Sequence, residues 1–170
     1  MVTDEIESFT EAGILLKSGK ALEADIIITA TGFHLNVLGD IAFTLDGEPL
    51  VFSDTVTYRG MPNMAWVFGY FRASWTLRAD LVADFVCRLL THMKDIGARR
   101  VTPTLRPEDS DMPLLPWIDP ENFNPGYLMR GMHLLPKRGD KPECQHTQDY
   151  WTEKDAFPAT NLDDAVFVYE

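Results

Sequence analysis

The chain has 170 residues, about the length of one domain, with 26 Asp and Glu against 15 Lys and Arg and a formal net charge of -11. That surplus repels nucleic-acid phosphates and anionic membrane surfaces, so neither is expected as the main partner. Two cysteines, Cys87 and Cys144, are too few for a disulfide framework or a metal knuckle, and the N-terminus carries no basic or apolar signal region; a cytoplasmic, reducing compartment is expected.

The chain begins with two short extended pieces, residues 6–9 and 14–17, joined and followed by the glycine turns Ala12-Gly13 and Ser18-Gly19; this predicts a β-hairpin. Residues 25–33, Asp-Ile-Ile-Ile-Thr-Ala-Thr-Gly-Phe, follow. Their apolar run does not alternate and stops at glycine, as in a parallel strand covered on both faces. It falls far short of the roughly 20 apolar residues of a membrane helix.

A second hairpin is predicted where residues 43–45 and 50–52 flank Asp46-Gly47, a dipeptide suited to the positive φ angles of a tight turn. Residues 64–69 form another short apolar run ending on glycine, read as a strand. A helix follows, with Leu77, Leu81, Val82, Phe85, Val86, Leu89, Leu90 and Met93 on one face of a 3.6-residue period. Ser74 or Thr76 suits its N-cap, and Gly97 its end. Cys87 falls beside this stripe and is read as an inert packed thiol.

Eight of the eleven prolines lie between Pro103 and Pro142, interleaved with Leu114, Leu115, Trp117, Phe123, Tyr127, Leu128 and Met132. Proline removes backbone donors, so this reads as a wrapping tail rather than a second core, with one short helix near residues 127–134. Asp109, Asp111, Asp119 and Glu121 read as charges that keep the tail soluble. The four histidines, His34, His92, His133 and His146, are scattered with no metal-ligand spacing and read as solvated or capping groups.

Two places suit a ligand. Gly32, at the end of the 25–33 run, lets a backbone approach a cofactor, and Thr31 adds a small hydroxyl; the same residues also suit a strand that simply ends. At residues 69–77 a helix begins, and its free N–H groups favour a negatively charged partner such as the pyrimidine edge of a reduced flavin. Ala73 and Ser74 are small, Tyr70 and Trp75 are planar, and a plain capped helix start is the alternative.

Residues 22–33, 58–65 and 69–81, in this order and spacing, resemble the C-terminal third of flavin-containing monooxygenases of the Baeyer–Villiger type. The resemblance covers most of the chain from Val2 to about Arg99 and recurs weakly at residues 125–130 and 135–137. It implies an α/β fold: the C-terminal portion of a Rossmann-like FAD-binding domain, with β-hairpins, one long helix and a proline-rich wrapping tail. On this reading residues 1–100 belong to the FAD-binding domain and residues 101–170 are an extension packing on it.

The resemblance also implies FAD and NADPH as cofactors and a small-molecule substrate. Thr31, Gly32, Ser74, Trp75, Thr76 and Leu77 are expected near the cofactor, and Tyr70, Phe71, Arg72 and Ala73 at the substrate pocket. The pattern departs from the family in one large respect: no G-x-G-x-x-G loop follows a strand, and the family uses two. The family fingerprint with its histidine and tryptophan, and the catalytic arginine, are also missing. The decisive chemistry is therefore expected upstream of Met1, and the chain alone is expected to be inactive. A stand-alone interaction domain or a non-functional fragment remains open as an alternative. Self-association, or an exposed apolar surface near residues 26–28, is expected as well.

Overall fold

The computed structural model describes residues 1–54, 56 and 60–170. The resembling stretch 58–65 thus begins, at Tyr58 and Arg59, outside the described residues. The chain divides into two compact units, Met1–Phe33 and His34–Glu170.

In the first unit the predicted hairpin forms, as β1 (Ile6–Thr10) paired antiparallel with β2 (Gly13–Leu16). A third strand that the pattern did not announce, β3 (Ala21–Glu23), pairs with the other edge of β2. Gly13 is required at its position: its φ is 145°, and a Cβ there would run into the Leu22 carbonyl.

The 25–33 run corrects an expectation. It forms no strand, and Ile26 and Ile28 are 80% and 86% exposed. A strand apolar on both faces needs hydrogen-bonded neighbours and covering layers, and the described residues provide neither. The result is the exposed apolar surface expected there.

In the second unit the 3-10 turn Val37–Asp40 is followed by the Asp46-Gly47 hairpin. Strands β4 (Thr44–Leu45) and β5 (Glu48–Pro49) pair antiparallel, and φ is 51° at Asp46 and 87° at Gly47, the signs a tight primed turn requires. Residues 50–52, expected as its second strand, lie beyond β5, and Phe52 begins a 3-10 turn, Phe52–Asp54.

Residues 64–69 also form no strand. Side chains take the backbone groups that a ladder would use: Arg78 Nη1 donates to the Phe68 carbonyl at 2.9 Å, and Gln148 Nε2 to the Gly69 carbonyl at 3.1 Å. The long helix α1 (Trp75–Ile96) is present as read and ends on Gly97 at φ 75°. Cys87 is exposed on it, against expectation, because the helix buries a narrower face than its apolar stripe covers.

After α1 come β6 (Val101–Pro103), α2 (Gly126–Gly131), α3 (Tyr150–Ala159) and β7 (Phe167–Tyr169); β6 and β7 pair antiparallel. The short helix expected near residues 127–134 is α2 with the 3-10 turn Met132–Leu134.

The tail does more than wrap. Trp117, Ile118, Leu128 and Leu135 form a buried cluster, with Trp66, Phe71 and Phe123 packed against it. Proline prevents regular hydrogen bonding but not burial of the apolar residues between, so the proline-rich region carries this core. Asp109, read as a solubilising charge, is buried there and paired with Arg106 and Lys141, each at 3.4 Å. Among the described residues the architecture is mixed α/β with three small antiparallel sheets and one long helix. No helix among the described residues is long and apolar enough to cross a membrane.

Candidate functional site

Thr31 and Gly32 lie in the first unit, both exposed, with Gly32 at φ 86°. The remaining site residues belong to the second unit, where residues 70–77 lead into α1.

Ser74 occupies the N-cap position with extended φ and ψ, but its side chain makes no cap. Its Oγ instead pairs with Thr76 Oγ1 at 2.9 Å. Leu77 N donates to the Ser74 carbonyl at 3.3 Å, while the N–H groups of Trp75 and Thr76 lack the side-chain acceptor that an N-cap serine ordinarily supplies at the positive end of this 22-residue helix. Trp75 is half exposed and its ring lies over Gly69, where any Cβ would overlap it. The Phe68 ring packs against it with ring centroids 5.2 Å apart. Leu77 is partly buried, and Ala73 is exposed.

Tyr70, Phe71 and Arg72 turn in different directions. Tyr70 is buried and donates its hydroxyl proton to Glu153 Oε2 at 2.7 Å. Burial first, and the Glu153 hydrogen bond second, hold the phenol well above its ordinary pKa, so it remains neutral. Phe71 stacks on Phe123 at 4.5 Å. The Arg72 guanidinium donates to the Asn122 carbonyl and sits 5.9 Å from the Phe123 ring centroid. Phe71 and Arg72 line a cleft of about 210 Å3 with Trp117, Asn122 and His146; Tyr70 and Ala73 do not.

Behind Tyr70 lies a charged network absent from the sequence reading. Arg78 of α1 donates from Nε to Glu153 Oε2 at 2.7 Å, and Thr147 N donates to Glu153 Oε1 at 3.1 Å. Glu153 is only 4% exposed, so the charges on α1 and α3 are paired out of water. Nothing marked Glu153 in advance, because its partners Arg78 and Tyr70 are 75 and 83 residues away in sequence.

His146 is likewise not the solvated or capping group expected. Its Nε2 donates to the Trp117 carbonyl at 2.8 Å, which fixes the tautomer and leaves Nδ1 with the lone pair. Nδ1 and the neighbouring Trp117 Nε1 are closed to solvent, with no hydrogen-bond partner among the described residues. Burial pushes the imidazole down to about 4, against the opposing effect of the Trp117 carbonyl.

Because the folded pKa lies below the ordinary value of about 6.5, the unfolded chain takes up the proton first as the pH falls. His146 is therefore expected to withdraw stability as the pH drops from about 6.5 to about 4. Asp149 and Asp164, whose carboxyls are lowered by the Thr152 hydroxyl and the Val166 amide respectively, lose their contributions only below the ordinary carboxyl range. Urea midpoints across the upper window should fall less in His146→Gln than in the unaltered chain; equal falls would contradict this assignment.

Comparison with known proteins gives the chemical context. The chain is 47% identical over 156 residues to the FAD-containing monooxygenase EthA of Mycolicibacterium smegmatis, covering 89% of this chain and 31% of that protein. It is 42% identical over 161 residues to the putative FAD-containing monooxygenase MymA of Mycobacterium tuberculosis, covering 92% and 31%. It is 39% identical over 173 residues to the probable FAD-binding monooxygenase AlmA of Acinetobacter baylyi, covering 99% and 34%. The chain thus spans about a third of the length of the relatives it matches. No family model and no solved structure matches it.

Proposed function

We propose, from homology to FAD-containing monooxygenases over about 90% of the chain, that it is the C-terminal section of an FAD- and NADPH-dependent monooxygenase. The whole enzyme would act in the cytoplasm and transfer one oxygen atom from O2 into a ketone or onto sulfur or nitrogen. The observation that carries the reading is this coverage together with the N-terminus of α1, which the Ser74 side chain does not cap.

The residues present fit one part of FAD. The N–H groups of Trp75 and Thr76, which receive no side-chain cap from Ser74, beside small Ala73 and planar Trp75, suit the electron-rich edge of the ring. They do not fit the pyrophosphate, because the sequence holds no glycine-rich dinucleotide loop. When bound, FAD supplies the redox chemistry, with electrons from NADPH.

The chain's own task is positioning and exclusion of water. Tyr70, anchored to Glu153, holds the turn that leads into α1, while Phe71 and Arg72 bind it to residues 122–123. The α1 N-terminus then forms one wall at the flavin, and the segment before it part of the substrate pocket. Without a pyrophosphate loop the isolated chain should not hold the cofactor. Purified with excess FAD and then dialysed, it is expected to come out colourless; flavin retained at one per chain would refute the partial-site reading.

A further inference from the structure

The stripe of α1 leads to a site of its own. Of its eight apolar positions only Val82 and Met93 are buried, while Leu90 is 59% exposed. The face between them borders a partly open cavity of about 510 Å3 that is also lined by Trp66, Phe157 and Phe167. That volume falls within the roughly 300–1,000 Å3 of small-molecule sites. From Val82 to Met93 the helix extends roughly 16 Å at 1.5 Å per residue, room for a long unbranched chain.

The charge of the cavity is opposite to that of the protein. In a chain of net charge -11, no Asp or Glu among the described residues lines it, and the charged described residues that do are Arg78 and Arg99. Arg78 is already committed to Glu153 and the Phe68 carbonyl. Arg99 is exposed, and its guanidinium has no side-chain partner among the described residues; the carboxylate of Glu170, whose backbone carbonyl accepts from Arg99 N, is taken by Arg100. The negative end of α1 is close to Arg99 in sequence, but it amounts to about half a charge, and the carbonyls of Met93 and Lys94 are satisfied by the N–H groups of Ala98 and Gly97.

The geometry points to a binding site for a single-chain amphiphile with an anionic head, a fatty-acid-type carboxylate, its tail along α1 and its head at Arg99. This site borders the cleft beside Arg72 at Trp117 and His146 but includes none of the residues proposed to face the flavin, and its test contains no flavin, so the two stand or fall separately.

The test is calorimetric titration of the whole chain with dodecanoate and with dodecanol below micelle concentration, with the fluorescence of Trp66 and Trp117, both in the cavity lining, as a second readout. Dodecanoate should bind at one per chain and about five-fold more tightly than dodecanol, the scale of an exposed ion pair. Arg99→Ala should bring dodecanoate to the level of dodecanol, and Arg99→Lys should restore most of the preference. Val86→Trp, checked for folding by circular dichroism, should weaken both ligands by filling the cavity. Equal affinities in the unaltered chain, an unchanged preference in Arg99→Ala, or no binding because a second copy closes the cavity, seen as a dimer in light scattering, would each overturn the proposal.

Discussion

Glu153→Ala should lower the stability of the second unit by about 3–5 kcal/mol, the usual loss when one member of a buried ion pair is removed. The size follows from what remains. Arg78, with its side chain 11% exposed, would keep its charge and its bond to the Phe68 carbonyl but lose the carboxylate at 2.7 Å. The Tyr70 hydroxyl and the Thr147 amide would lose their acceptor in the same step. Replacing both charged partners, as Arg78→Met with Glu153→Leu, leaves no unpaired charge and should cost clearly less than Glu153→Ala alone. Urea denaturation of the three proteins checks this; a double variant as unstable as the single one would show that the pair stabilises by its attraction rather than by mutual satisfaction.

Leu135→Ala should cost about 2–5 kcal/mol, the range for truncating a fully buried leucine. Leu135 is 2% exposed and packs with Trp117, Ile118 and Leu128. It lies in the proline-rich region, between Leu134 and Pro136, where a wrapping tail would tolerate the change. The comparison residue is Leu114, which is 55% exposed in the same region. Leu114→Ala should fall within about 0.5 kcal/mol of the unaltered chain, as surface substitutions do. Similar small losses at both positions would restore the picture of a loosely wrapped tail.

What the sequence disclosed depended on how local the cause was. Helix α1 was readable because eight apolar residues keep its period and Gly97 supplies the left-handed stop. The Asp46-Gly47 turn was readable because two residues set its backbone angles. The fate of residues 25–33 was not, since a strand exists only with partners and periodicity names none. Helix α3 escaped notice because Pro158 lies within it and Trp151, its largest apolar residue, faces solvent.

The site shows the same division. The helix start at residues 74–77 follows from neighbours in sequence and was placed as expected. The anchoring of Tyr70 by Glu153, and of Phe71 by Gln148 and Phe123, spans 52 to 83 residues, and no spacing rule reaches that far. His146 looked like any isolated histidine until Trp117 packed against it with ring centroids 4.3 Å apart.

The most direct test of the central claim is a chimera in which this chain replaces the matching third of the Mycolicibacterium smegmatis relative, assayed for NADPH-dependent oxygenation of a sulfide. A working C-terminal section predicts a yellow protein that forms the sulfoxide, with Glu153→Ala in the chimera losing both flavin and product. A chimera that folds yet retains no FAD and forms no product would contradict the claim that this chain builds a wall of the flavin site.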